Sequence, residues 1–265
     1  MCPLLCSAQI KSVWNSPEKT LSYAERAFTV AARARADLIC FPEQFATGWD
    51  PAAATHIEDE NGIIVSRLRD LACRYEIAVL GSFREAHAPL PRNTAIAIGP
   101  DGSILARYAK IHLFSPGGEH KAFSPGEESA TFSVAGMRFG IAICYDLRFP
   151  ELFTAYSRAG VDAVLVPAAW PCRRIAHWEL LIRARALENQ FFVAGTCTTG
   201  KTPVEQYCGH SIAAGPDGEI LSRAGDGILC MLTALDTAAI REARAALPIH
   251  SDRRDDIYMR MREIR

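Results

Sequence analysis

Ala36-Asp37-Leu38-Ile39-Cys40-Phe41-Pro42 in the first half of the chain and Val161-Asp162-Ala163-Val164-Leu165-Val166-Pro167 in the second are one strand written twice. In each, an Asp leads an apolar run too short for a helix, and a proline ends it because proline has no N–H for a ladder. A run without polar alternation reads as a strand covered on both faces. The surroundings repeat as well. Helix-period segments, Leu21 to Arg35 and Glu151 to Ala159, lead into the two runs. Second helices, Ser66 to Tyr75 and His177 to Glu188, lead into further apolar strands, Ile77 to Gly81 and Phe191 to Gly195. Thr94 to Ile98 and Ile104 to Arg107 then flank Gly99-Pro100-Asp101-Gly102, while Ser211 to Ala214 and Glu219 to Ser222 flank Gly215-Pro216-Asp217-Gly218. Both tetrapeptides are hairpin turns by composition. Strands Leu4 to Ile10 and Arg138 to Ile143 open the two halves.

This order predicts an α/β fold that is internally pseudo-repeated. Two stacked mixed sheets with helices outside, a four-layer αββα sandwich, bury such strands on both faces; the alternative is one long doubly wound sheet. No linker or composition shift splits residues 1–265, which are expected to form a single domain. The tail, about 236–265, carries a helical pattern from Thr237 to Ala246 and a charged run from Ser251 to Asp256. Such a run is a solvated face or a crossing to a neighbouring subunit.

With 265 residues, 49% hydrophobic and 22% charged, the chain can bury a full core. A net charge of −1 offers no basic footprint, which argues against nucleic-acid and membrane partners. Met1 to Cys6 lacks the basic and apolar regions of a signal peptide, so the mature chain is expected to begin there. Nine cysteines without a Cys-x-x-Cys pair fit a reducing cytoplasm and argue against a disulfide framework or structural zinc.

Cys144 follows the strand Met137 to Ile143, and the polar cluster Tyr145-Asp146-Leu147-Arg148 stands where a core segment would stay apolar. Strand ends that feed helices face the crevice where α/β folds bind ligands, so a thiol there is placed to attack. Most of the other eight cysteines read as small hydrophobes. A free thiol, with pKa about 8.5, is mostly protonated at neutral pH and needs a base or a cation. The seven histidines are dispersed, and none lies in a Cys–His setting. Glu43, just past Phe41-Pro42, offers a carboxylate base at the crevice; in isolation it reads as an exposed strand-end glutamate. Lys110, in Tyr108-Ala109-Lys110-Ile111-His112, is a lone cation among apolar residues, alone a snorkelling side chain. Beside a thiolate it would hold an oxyanion together with a backbone N–H such as that of Tyr145, a role typically worth about 3–4 kcal/mol.

In chain order, Phe41-Pro42-Glu43, Lys110-Ile111-His112-Leu113-Phe114 and Ile143-Cys144-Tyr145-Asp146-Leu147-Arg148-Phe149-Pro150-Glu151 resemble the Glu–Lys–Cys motifs of the nitrilase superfamily of carbon–nitrogen hydrolases. Trp170-Pro171 through His177-Trp178, Ala184 to Gln190 and Tyr207 to Ser211 resemble its omega-amidase and nitrilase-like branch. The likeness runs from about residue 4 to about residue 260. It implies an αββα sandwich, a homodimer or larger homo-oligomer, no metal and no organic cofactor. It implies that Glu119 is a second glutamate positioning the lysine and substrate, where the residues alone suggest a solvated loop. It further implies that Cys144 attacks a small amide while Glu43 moves the proton, leaving a thioester that water hydrolyses. Nitrile and N-carbamoyl hydrolysis use the same three groups. Many close relatives carry Asn or Ser before Trp-Pro, where this chain has Ala168-Ala169, and an Asn-Arg pair after the strand that here ends in Gly195-Thr196-Cys197-Thr198-Thr199. Trp170, Arg173 and Arg174 are candidate substrate contacts, the arginines for the carboxylate of an omega-amide.

Gly195-Thr196-Cys197-Thr198-Thr199-Gly200-Lys201-Thr202 satisfies the P-loop pattern in full and follows a strand. Phosphate binding needs a helix that opens there, yet Pro203 follows and no amphipathic period reaches Ser211. The loop is expected to border the site instead; Lys201 would be essential only to a nucleotide binder. A catalytically silent binding subunit of the same fold is the other rival, and it does not explain Glu43, Lys110 and Cys144 together.

Overall fold

The computed structural model describes residues 2–52 and 55–262; Met1 and the end of the expected tail, 263–265, lie outside these. The first half runs β1 (Leu4–Gln9), α1 (Pro17–Arg33), β2 (Leu38–Cys40), β3 (Ile57–Glu58), α2 (Ile63–Tyr75), β4 (Ala78–Glu85), β5 (Arg92–Ile98), β6 (Ile104–Ala109) and β7 (Thr131–Val134). The second runs β8 (Met137–Ile141), α3 (Pro150–Arg158), β9 (Ala163–Ala168), α4 (Ile175–Asn189), β10 (Phe192–Cys197), β11 (Thr199–Lys201), β12 (Gln206–Cys208), β13 (Ile212–Ala214), β14 (Ile220–Arg223) and β15 (Leu229–Ala234). Helices α5 (Thr237–Ala246), α6 (Ile249–Asp252) and α7 (Asp255–Arg262) form the tail.

The repeat is real in three dimensions. One sheet has the order β1-β2-β4-β5-β6 and the other β8-β9-β10-β13-β14, each with three parallel strands followed by an antiparallel hairpin. The two turns are built alike: Gly102 N–H donates to Gly99 O as Gly218 N–H does to Gly215 O, and Asp101 and Asp217 each accept a backbone N–H two residues on. Two sheets rule out one long doubly wound sheet.

The halves are not self-contained. β7 leaves the first half and pairs antiparallel with β8, while β15 leaves the second and pairs antiparallel with β1 from Leu4↔Ala234 to Gln9↔Leu229. Each sheet is thus edged by a strand from the other half, and pulling the halves apart breaks two ladders. The turn Ala135-Gly136 joins β7 directly to β8, whereas Gly225-Asp226-Gly227 marks only where β15 begins and not the edge strand that it joins.

Strand alternation places side chains on two different cores. Leu38, Cys40, Ala78 and Leu80 point between the sheets, while Ile39, Phe41, Ile77 and Val79 lie under α1 and α2. Proline at its first turn starts α1, and Leu21, Ala24, Phe28 and Ala31 form its buried stripe. Each such fully buried large side chain contributes about 1.5–3 kcal/mol. Gly195 serves packing: a Cβ there would lie 2.2 Å from the Trp178 ring of α4. That removes the phosphate-loop reading of residues 195–202, which span β10 and β11, with Lys201 opposite Gln206 in a hairpin and no helix following. Among the described residues no helix is long and apolar enough to cross a membrane.

Candidate active site

Glu43 lies just past β2, Lys110 just past β6, Cys144 just past β8 and Ala169 just past β9. All four line one cavity of about 380 Å³, so the ends of β2 and β9, which the repeat makes equivalent, open into the same space as those of β6 and β8. Its walls include Trp49, Phe114, Tyr145, Trp170 and Tyr207, and Arg148, Arg173, Arg174 and Glu205 also line it.

Lys110 is buried, and its Nζ donates to Glu43 Oε1 and to Glu119 Oε2, each at 2.8 Å. Asn93 Nδ2 spans the two carboxylates, donating to Glu43 Oε1 at 2.8 Å and Glu119 Oε1 at 2.9 Å. Ala169 N–H donates to the other Glu43 oxygen, and Phe114 N–H and the Trp49 indole to Glu119. Burial by itself would lower the lysine pKa, but the charges of Glu119 and Glu43 outweigh it and raise it. Burial works against ionised Glu119, yet Lys110 and the donors around it hold its pKa below the usual carboxylate value.

Two carboxylates face one ammonium, so the cluster carries surplus negative charge when all three are ionised. The Cys144 thiol is accordingly pushed well above its ordinary pKa, by burial first and by the Glu43 charge second, with Lys110 opposing. The resting nucleophile is a thiol. A proton acceptor must act as the sulfur attacks, and Glu43 is the carboxylate in place.

The strand feeding Cys144 ends at Ile141, two residues earlier than the sequence suggests: Ala142 N–H still reaches Leu165 O on β9, but Ile143 N–H turns to Asp146. Cys144 adopts φ +47° and opens a 3-10 turn, Cys144–Arg148. Asp146, fully buried, ties this bend down. One of its oxygens accepts Ile143 N–H and the Tyr108 hydroxyl; the other accepts His112 N–H and faces His112 Nδ1 at 2.8 Å. The carboxylate joins the thiol's bend to the segment carrying Lys110. Asp146→Ala strands these donors in the interior and is expected to cost roughly 3 kcal/mol or more of stability. Urea denaturation measures the loss, and an unchanged midpoint would remove Asp146 from this role.

Of the residues read from the sequence, Glu43, Lys110, Glu119 and Cys144 come together, and the Glu119 of the sequence's solvated loop is instead fully buried. Tyr145 lines the cavity, and its N–H has no internal hydrogen bond among the described residues. Trp170 is buried, its indole N–H on Arg174 O and its ring under the Arg148 guanidinium at 4.9 Å. Arg173 is paired with Glu205 at 2.7 Å, whereas Arg174 stacks on Phe114 at 5.1 Å and, among the described residues, has no carboxylate partner. Sequence reasoning missed Asn93, Asp146 and Trp49; the available signal for Asn93 was a lone amide opening an apolar strand. Among the described residues, no group of three or more His, Cys, Asp or Glu is placed to hold a metal ion.

The sequence model of the carbon–nitrogen hydrolase family matches residues 4–245. The chain is 32% identical to the 2-oxoglutaramate amidase of Bacillus subtilis over 92% of its length and 95% of that protein. It is 34% identical to the human omega-amidase NIT2, over 96% of its length and 95% of that protein. A mutant of the amidase from Nesterenkonia sp. AN1, solved with acrylamide added at its active-site cysteine, superposes with TM-score 0.82 at 28% identity, covering 92% of this chain and 98% of that one. With the buried lysine between two glutamates and a cysteine at the same cavity, these likenesses agree on one conclusion: the chain belongs to the carbon–nitrogen hydrolase family, within the nitrilase superfamily.

Proposed function

We propose that the protein hydrolyses a short omega-amide of a dicarboxylic acid to the diacid and ammonia, through a thioester on Cys144. The observation that carries this reading is a pair of arginines, Arg148 and Arg174, that have no carboxylate partner among the described residues and line the cavity that holds Cys144, Glu43 and Lys110. An amide carbon at Cys144 leaves the substrate's far end toward this positive wall, where guanidinium groups bind carboxylates well. Burial, then the charges of Arg173 and Arg148, push the Arg174 pKa down, so an incoming anion relieves charge repulsion.

In the first step Cys144 Sγ bonds to the amide carbon while Glu43 takes the thiol proton. The oxyanion is held by Lys110 Nζ and the free Tyr145 N–H. Glu43 passes its proton to the nitrogen, the C–N bond breaks, and ammonia leaves a thioester. Water, deprotonated by Glu43, attacks the thioester; the C–S bond breaks and the proton returns to sulfur. Glu119 holds Lys110 in place throughout. A homodimer or larger assembly belongs to the reading, supported by exposed apolar residues such as Leu180, Leu187, Leu247 and Met259 on α4 and in the tail. So does a reducing cytoplasm, supported by the nine cysteines and their spacing.

The test is ammonia release from a panel of omega-amides, neutral amides, nitriles and carbamoyl compounds, beside a Cys144→Ala control. Release from carboxylated amides above all others, absent in the control, is the expected result; preference for nitriles or carbamoyl compounds overturns it. Arg174→Met is expected to raise KM for a carboxylated amide about 10- to 100-fold while sparing a neutral amide. Equal losses on both would show that Arg174 does not grip the carboxylate.

A further inference from the structure

Asn93 is fully buried near the start of β5, which lies between β4 and β6. Its backbone O accepts the peptide N–H of Lys110 at 2.8 Å, and its Nδ2 donates to Glu43 Oε1 and to Glu119 Oε1. One residue thus holds all three charged groups of the site. The carboxylates need such a hold, because Glu43 stands in the segment after β2 and Glu119 in a 3-10 turn, Glu119–Lys121. Groups carried by a strand are placed more accurately than groups on loops. Asn93 does not line the cavity, so it meets the carboxylates and not the substrate.

The chemistry of the side chain fits this position. A primary amide offers two hydrogens on one nitrogen and carries no charge. A lysine or arginine would bring a second cation beside the thiol, an aspartate a third carboxylate, and a serine has a single hydrogen to give. The amide's own oxygen is buried and, among the described residues, makes no hydrogen bond, so the side chain stands here for its donors. Turned over, it would aim that oxygen at two carboxylates.

This arrangement makes the two oxygens of Glu43 unequal. Oε1 accepts from Lys110 Nζ and from Asn93 Nδ2, each at 2.8 Å, which uses both of its lone pairs. Among the described residues Oε2 accepts only Ala169 N–H, at 3.1 Å, and keeps one lone pair for a proton. We infer that Asn93 is a positioning residue: with Lys110 it occupies Glu43 Oε1 and so assigns the proton-carrying work to Oε2. The proton passes from Cys144 Sγ to Oε2 and on to the departing nitrogen; later a proton of water passes to Oε2 and back to sulfur. This rests on the reading of Glu43 as the base.

The experiment measures kcat, KM and the pH profile of kcat/KM for Asn93→Leu, which keeps the volume and removes both donors. The substrate is the unsubstituted five-carbon omega-monoamide, with butyramide beside it as a neutral amide, and circular dichroism fixes the folded fraction. Per folded molecule, kcat should fall about 10- to 100-fold while KM stays within about twofold, since Asn93 aligns the base and touches no substrate. The acid limb of kcat/KM should move to higher pH, because a carboxylate stripped of a donor holds its proton more tightly. A residue that only supports the scaffold would not move that limb. Asn93→Ser, smaller and with one donor, takes the place of the leucine variant should that one not fold, and the same directions are expected. An unmoved acid limb, or a rise in KM with kcat held, overturns the inference and leaves Glu43 as the base. Retained turnover in Glu43→Gln, or a wild type silent on both amides, overturns the reading of Glu43 and this inference with it.

Discussion

Lys110→Met is expected to abolish ammonia release, a loss of about 10³-fold or more, and to cost about 3–5 kcal/mol of stability, because it strips the cation from two buried carboxylates. Glu43 and Glu119 would then share Asn93 with no cation bonded to either among the described residues. Between about pH 5 and 8 the substitution should introduce a pH dependence of stability that these groups do not give the wild type. In the wild type the lowered pKa of Glu119 means that its ionised form stabilises the fold. That contribution is complete above the unfolded carboxylate's value, about 4.3, and is lost as pH falls through the lower folded value. The raised pKa of Lys110 acts at the other end: its contribution is complete below about 10.4 and is lost only as pH rises through its folded value. In Lys110→Met, like charges in one buried site keep one carboxyl protonated, and its folded pKa rises. The variant should therefore gain stability as pH falls from about 8 to about 5, where these two groups leave the wild type level. Urea midpoints across that range measure the difference. Parallel curves for the two proteins would contradict an ion cluster built around Lys110.

Glu43→Gln is expected to separate two properties that usually travel together, cysteine reactivity and turnover. After burial, the Glu43 charge is the main reason that the Cys144 thiol holds its proton. Removing that charge leaves Lys110 to favour the thiolate, so alkylation of Cys144 by iodoacetamide should reach half-maximal rate at a lower pH than in the wild type. Turnover should nevertheless fall about 10³-fold or more, since no group remains to carry the proton from sulfur to the leaving nitrogen. Cys144→Ala, with no thiol to alkylate, fixes the background for both measurements. A Glu43→Gln variant whose alkylation profile does not move would mean that Glu43 only fills space; retained turnover would place the base elsewhere.

Much of this was legible in residue order. The two Pro-terminated strands and the two Gly-Pro-Asp-Gly turns announced a duplicated α/β unit, and the sheets have the same strand order because equal patterns pack equally. Glu43, Lys110 and Cys144 were legible because each interrupts an apolar segment at a strand end, where nothing in a core requires a charge or a thiol. Asn93 and Asp146 were not. An amide and a carboxylate acquire meaning from the donors and acceptors they meet, and those lie 26 or more residues away for Asn93 and mostly more than 30 for Asp146.

By itself, the sequence determined the repeated α/β unit and its opening strands, because hydrophobic period and turn chemistry act over neighbouring residues. Only the tertiary structure decided that β7 and β15 change sheets, since a strand's partner is chosen by available edges rather than by its own residues. It also decided the charge state of the site: Lys110 stays charged, Cys144 stays protonated and Glu119 stays ionised because two carboxylates and one ammonium are shut together away from water. That balance depends on distances of under 3 Å between side chains from three separate segments, a quantity that no local pattern encodes.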